Sequence, residues 1–93
     1  MANFVIKKDG NRVPFDAEKI KASITAAASE AGFSHDSTEE VVGSIASSVE
    51  IAFEGQEEVS STEIKDKILS DLDEMQPAIA ESWRRHAEAK GQF

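Results

Sequence analysis

Apolar residues recur at every third or fourth position in four separate stretches of the chain. This spacing places them on one face of an α-helix, so the pattern predicts four amphipathic helices that pack through their apolar faces. The first helix is expected over about residues 17–31. The predicted core positions, helix by helix, are Ile20, Ile24, Ala27, Ala28 and Ala31; Val41, Val42, Ile45, Ala46, Val49, Ala52 and Phe53; Ile64, Ile68, Leu69 and Leu72; and Ile79, Ala80, Trp83 and Ala87.

Residues that favour helix ends lie at the borders of these stretches. Asp16 is expected to cap the first helix. Two serine-to-glutamate capping boxes, Ser37–Glu40 and Ser60–Glu63, predict where the second and third helices begin. Pro77 suits the first turn of the fourth helix. Glycines are expected to end the first, second and fourth helices, at Gly32, Gly55 and Gly91.

The beginning of the chain shows a different pattern, with two short β-prone runs on either side of a polar turn. The runs are residues 3–7 and 12–15, and Asp9 with Gly10 favours the backbone of a tight hairpin turn between them. Pro14 has no N–H to donate, so the second strand must be short or lie at a sheet edge. A connector over residues 56–60 is a candidate for a third strand.

Together these elements predict an α+β fold, a four-helix bundle capped by a small β-hairpin or three-stranded sheet. The chain has 93 residues, which corresponds to one domain over residues 1–93. It has no cysteine and two histidines, so disulfides are excluded and a zinc site is not expected. The N-terminal residues lack a signal-peptide pattern, and no stretch reaches the ~20 apolar residues of a membrane span. We therefore expect a cytoplasmic location.

The net charge of −8 is unevenly distributed along the sequence. Residues 1–21 carry five basic and three acidic side chains, whereas residues 22–75 carry two basic and thirteen acidic ones. An acidic chain is not expected to bind long nucleic acid, because that affinity depends on many phosphate contacts. A small phosphate ligand needs only a local cluster of cations.

Motifs of common nucleotide-consuming enzymes are missing from the sequence. Neither G-x-x-x-x-G-K-[ST] nor G-x-G-x-x-G occurs. His35 and His86 are far apart in the sequence, and no serine has an obvious base beside it. We therefore expect no catalytic residues and no enzymatic activity.

The predicted hairpin carries two adjacent lysines, Lys7 and Lys8, and returns the chain directly into the first helix. A helix start offers backbone N–H groups and a partial positive charge, both of which suit an anion. Lys19, one turn into the helix, adds a third cation on the side that faces the hairpin. The three lysines are candidates for a triphosphate site, and the alternative is that they are ordinary solvated surface residues.

The run V-I-K-K-D-G from Val5, followed by F-D-x-x-K-I from Phe15, resembles the opening signature of the ATP-cone family. Residues 59–64 are similar to the family's segment entering the third helix, and Ala80-x-x-Trp83 matches more loosely. ATP cones occur at the N-terminus of many ribonucleotide reductases and in the repressors of their genes. The resemblance implies a regulatory domain that senses ATP or dATP without doing chemistry on it. The implied partner is a ribonucleotide reductase-type enzyme or a second copy of the chain.

The resemblance also implies roles for individual positions. Asp16 matches a polar position that faces the nucleotide, and Ser61 and Lys65 match a third-helix pair of a hydroxyl residue and a polar or basic one. Basic positions near the phosphates are matched by Lys7, Lys8 and Lys19, and a basic position near the end of the last helix is matched by Lys90. An apolar slot for adenine is matched by Val5, Phe15, Ile20, Phe53 and Ile64. For these five residues, plain hydrophobic core is the alternative interpretation.

The C-terminal part departs from the family's pattern, in which tyrosines and an arginine are usual at the positions of Trp83, His86 and Ala87. Arg84, Arg85 or Lys90 are candidates to replace the missing phosphate contacts. Glu57 and Glu58 precede the third helix and are expected either to repel phosphate or to help hold Mg²⁺ through the triphosphate.

The sequence is compatible with two hypotheses for the function. In the first, the chain is a nucleotide sensor that changes the association or activity of a partner. In the alternative, it is a helical protein-interaction module that has the cone fold without nucleotide binding. The absence of cysteine removes the zinc ribbon of the related repressors, which argues against direct DNA binding.

Overall fold

The computed structural model of the chain describes residues 3–90, with side chains described as far as Arg85. In this part of the chain the elements are β1 (Phe4–Ile6), β2 (Arg12–Pro14), α1 (Ala17–Glu30), α2 (His35–Ala52), β3 (Glu58–Ser60), α3 (Ser61–Met75) and α4 (Pro77–Lys90). Four helices and a three-stranded mixed sheet make this an α+β fold, which confirms the predicted class.

The four helices form a bundle around one apolar core. Helix α1 packs against α2 and α4, and α3 packs against the same two helices. The predicted stripes supply the core, whose fully buried members include Ile24, Ile45, Val49, Ile64, Ile68, Leu72, Ile79 and Trp83. The prediction was wrong only near helix ends, where Ala31 is half-buried and Ala52 is exposed. The side chain of Ala87 and the predicted stop at Gly91 lie outside the described residues.

Two buried hydrogen bonds join α4 to α1. The indole N–H of Trp83 donates to Ser23 Oγ at 2.7 Å, and the hydroxyl of Ser82 donates to the carbonyl of Ala27, also at 2.7 Å. All of these polar groups lie on residues that are at most 3% exposed. Because an unpaired buried polar group is costly, these bonds fix the register of the two helices as well as satisfying the groups.

The start of α2 differs from the predicted capping box at Ser37–Glu40. The helix begins three residues earlier in the chain than expected, with Ser34 as the N-cap and Ser34 Oγ accepting the Ser37 N–H at 3.2 Å. Ser37 and Thr38 then lie inside the first turn, where their hydroxyls donate to the Ser34 carbonyl. Ser34 precedes Ser37 by three residues, a spacing at which the side chain of an N-cap accepts a backbone N–H. Asp36 in the first turn is also favoured near a helix N-terminus.

The sheet has the strand order β2–β1–β3, with β1 antiparallel to β2 and parallel to β3. The hairpin turn contains Gly10 at φ +88°, a conformation that glycine adopts without steric cost. Strand β2 is three residues long and lies at the edge, as Pro14 predicted. The inner face of the sheet, against the helices, carries Val5, Val13 and Val59, and the outer face carries Phe4, Ile6, Arg12 and Glu58.

Strand β3 confirms the candidate third strand and continues into α3 without a loop. Ser60 is the last residue of β3 and also the N-cap of α3. Its hydroxyl accepts the Glu63 N–H at 3.1 Å, and the Glu63 carboxylate accepts the Ser60 N–H at 3.0 Å. This is the reciprocal capping box predicted from the sequence. The position of the sheet is therefore tied directly to the start of α3.

Candidate functional site

A cleft opens between the inner face of the hairpin, the start of α1 and the first turn of α3. Its empty space amounts to about 480 Å³, a figure that includes the part open to solvent. Its lining residues are Val5, Lys7, Val13, Pro14, Phe15, Asp16, Lys19, Ile20 and Ile64. The cleft thus brings together seven of the site residues predicted from the sequence.

Strand alternation places Lys7 in the cleft. Side chains two residues apart in a strand share a face, so Lys7 follows Val5 on the inner side of the hairpin. The Lys7 N–H donates to the Asn11 carbonyl at 2.8 Å, and the Lys7 carbonyl accepts the Gly10 N–H at 2.9 Å. Lys7 is half-buried at the base of the turn, whereas Lys8 is exposed in the turn and does not line the cleft.

The start of α1 contributes Lys19 and Asp16. Asp16 is the N-cap, and its Oδ1 accepts the Glu18 N–H at 3.0 Å, which confirms the predicted cap. One of the backbone donors that the sequence offered to an anion is therefore already satisfied by a carboxylate. An anion in this cleft would therefore be attracted by the two lysines more than by the helix terminus.

Neither Lys7 nor Lys19 forms an ion pair within the described part of the chain. By contrast, Lys21 on the same helix as Lys19 pairs with Glu18 at 3.5 Å. Two lysines and one aspartate give the cleft lining a net positive charge in a chain whose total is −8. A local positive potential of this kind suits a small anion.

The apolar lining has a buried part and an accessible part. Val5, Ile20 and Ile64 are at most 6% exposed, so they form the floor of the cleft and also belong to the core. Phe15 is half-buried and offers more surface. Val13 and Pro14 line the cleft although the sequence did not predict them as site residues. Val13 lies opposite Val5 because the turn spans residues 8–10 and Lys7 pairs with Asn11. A turn over residues 8–11, as expected from the sequence, would instead set Pro14 opposite Val5.

The other predicted site residues do not line the cleft. Ser61 is buried at the first position of α3, one turn before Ile64, and Lys65 is half-buried beside it. Phe53 is the C-cap of α2 and packs against the core. Lys90 ends α4, and its side chain lies outside the described residues. A nucleotide contact from these residues stays a prediction.

Glu58 occupies the opposite side of the sheet from the cleft. Its carboxylate lies 3.2 Å from the Arg12 guanidinium, on the outer face. Glu57 contributes a backbone contact to the sheet, because its carbonyl accepts the N–H groups of Asn3 and Phe4.

Within the described residues there is no group of three or more histidine, cysteine or acidic side chains that could hold a metal ion. None of the helices in residues 3–90 is long and apolar enough to cross a membrane.

No curated protein sequence gives a significant match to the chain. A family comparison does give a match, to the ATP cone domain over residues 3–87. The match runs from β1 to the last turn of α4 and so includes the sheet, the cleft and all four helices described above. The chain therefore belongs to the ATP-cone family of nucleotide-binding regulatory domains.

Proposed function

We propose that this chain is a non-catalytic sensor that binds ATP or dATP in the cleft between the hairpin and α1. The observation that carries the proposal is that Lys7 and Lys19, which form no ion pair with any described residue, line one cleft together with apolar side chains. A nucleotide has two parts that complement these groups, an anionic phosphate chain for the lysines and a flat aromatic base for the apolar side chains. The family to which the chain belongs supports adenine nucleotide as the ligand.

In this proposal the phosphates lie near Lys7 and Lys19, and the base lies against Val13 and Phe15 over the apolar floor. Lys8 in the turn is placed to contribute a weaker, solvent-exposed contact to the phosphates. Mg²⁺ would accompany the nucleotide through its phosphate oxygens, since Glu58 is engaged on the outer face. The further contacts proposed are those of Asp16, Ser61, Lys65, Phe53 and Lys90.

A sensor also needs a partner that distinguishes its bound and free states. We propose that nucleotide binding changes the association or activity of a ribonucleotide reductase-type enzyme, or of a second copy of the chain. The chain acts as one domain over residues 1–93, in the cytoplasm and without catalytic turnover or nucleic-acid binding. Its acidic total charge supports the last point.

The experiment is isothermal titration of the purified chain with ATP and with dATP in the presence of Mg²⁺. Micromolar binding is expected. At about 100 times its dissociation constant the ligand should stabilise the fold by ~2.7 kcal/mol, which a thermal-unfolding scan detects as a shift of several degrees. Phosphate release measured in the same samples should stay at the buffer background.

A matched control is Lys21→Ala. Lys21 lies on α1 but outside the cleft, and its replacement by alanine also removes one positive charge. This variant should keep the affinity of the unmodified chain. If the unmodified chain gives neither heat nor a thermal shift, the sensor proposal fails and the interaction-module alternative takes its place.

A further inference from the structure

Arg12 spans the outer face of the whole sheet. Its backbone belongs to β2, its guanidinium carbon lies 3.8 Å from the centroid of the Phe4 ring in β1, and its Nε lies 3.2 Å from Glu58 Oε2 in β3. Arg12 thus connects all three strands. We call Arg12, Phe4 and Glu58 the outer clamp.

The strands that the outer clamp joins need such support. The hairpin pairs only three residues of β1 with three of β2, and β2 is an edge strand that contains a proline. A hairpin of this length is at most marginally stable alone. Strand β3 is better fixed, because it continues into α3 through the capping box at Ser60. The outer clamp therefore ties the weakly held strand to the firmly held one.

The residues next to Arg12 in the fold belong to the cleft. Val13 follows Arg12 in β2 and points to the inner face, and Ile6, the register partner of Arg12, immediately precedes Lys7. A shift or twist of the whole hairpin relative to β3 would move both Val13 and Lys7 relative to Ile64 and Lys19. Arg12 itself does not line the cleft.

We propose that Arg12 is a positioning residue for the nucleotide site, acting from the back of the sheet through the outer clamp. It holds the hairpin in the position in which Lys7 and Val13 face the first turns of α1 and α3. The inference rests on the proposed nucleotide binding and names residues that control it without touching the ligand.

The decisive variant is Glu58→Gln, because two physical effects predict opposite results for it. Removing an acidic group from the sheet should tighten the binding of an anionic nucleotide if charge alone matters. Loss of the outer clamp should weaken it. We expect the dissociation constant for ATP, measured by titration calorimetry with Mg²⁺, to rise about three- to tenfold.

A charge exchange provides the second variant. Arg12→Glu alone should weaken ATP binding, and Arg12→Glu combined with Glu58→Arg should recover most of that loss by restoring an ion pair between β2 and β3. Both side chains are about half exposed, so the variants should fold. Thermal unfolding without nucleotide should therefore change little, which separates positioning from general destabilisation.

The outcomes separate this inference from the proposed function. If the unmodified chain binds ATP and Glu58→Gln binds it equally well or more tightly, Arg12 has no positioning role. The same conclusion holds if the exchanged pair recovers nothing relative to Arg12→Glu. If the unmodified chain does not bind ATP, the proposed function fails and the positioning role fails with it.

Discussion

Lys7 and Lys19 line the same cleft although they come from different kinds of structure, the end of a strand and the first turns of a helix. The hairpin turn at Gly10 and the N-cap at Asp16 bring them there. Two like charges near each other are stabilised by an anion between them, which is the electrostatic basis of the proposed nucleotide site.

Lys7→Ala and Lys19→Ala should each weaken ATP binding about tenfold or more, because a charge-assisted contact is worth ~1.5–3 kcal/mol. Titration calorimetry measures the loss, and the unfolding temperature without nucleotide should stay close to that of the unmodified chain. Lys21→Ala is the control for removal of one positive charge from α1. Equal affinity in Lys7→Ala, Lys19→Ala and the unmodified chain would show that the phosphates do not lie in this cleft.

Lys8→Ala should weaken ATP binding less than Lys7→Ala does. Lys8 is exposed in the turn and does not line the cleft, so its contact with phosphate is screened by solvent. Titration of the two variants at low and at physiological salt should show the smaller Lys8 contribution fading as salt increases. A larger loss in Lys8→Ala than in Lys7→Ala would contradict the assignment of Lys7 to the inner face.

Val49→Asp should prevent cooperative folding. Val49 is fully buried on α2, and an unpaired charge there costs ~4 kcal/mol or more, a large part of the stability of a small domain. Ile51→Asp is the control, since Ile51 is 70% exposed on the same helix and should change stability by no more than ~0.5 kcal/mol. Circular dichroism during heating distinguishes the two. A cooperative transition in Val49→Asp would show that the core position of this residue is wrong.

Trp83→Phe should lower the free energy of unfolding by about 2 kcal/mol, because it removes the hydrogen bond to Ser23 and leaves a gap between α1 and α4. For a domain of this size that corresponds to a fall of roughly 8–16 °C in the unfolding temperature. Ser23→Ala and the double variant complete a cycle that isolates the pair. Strictly additive losses in that cycle would mean that the indole and the hydroxyl do not stabilise each other.

Local signals in the sequence predicted most of the elements. The Ser60–Glu63 capping box, the Asp16 cap and the edge position of the strand containing Pro14 depend on residues a few positions apart, and each is confirmed. The start of α2 was missed because Ser34 and Ser37 have equally suitable side chains, and Ser34 is the one that has the extended backbone of an N-cap.

The site depended more on distant relationships. The predicted strand run ends at Lys7 and the turn begins at Lys8, but only the packing of the hairpin against α1 and α3 makes Lys7 line a cleft that Lys8 does not. Likewise, Glu58 is set on the side away from the cleft by the parallel register of β3 with β1, two strands separated by two helices in the chain. The apolar floor was predictable because its residues also serve the core.

The continuity of β3 and α3 at Ser60 has a mechanical consequence. Helix α3 has 15 residues and is therefore about 22 Å long, so a tilt of about 5° at Ser60 displaces its far end by about 2 Å. That far end carries Met75, a residue that is 43% exposed. A small adjustment of the sheet around a ligand would therefore cause a larger displacement of the other end of α3, at the molecular surface.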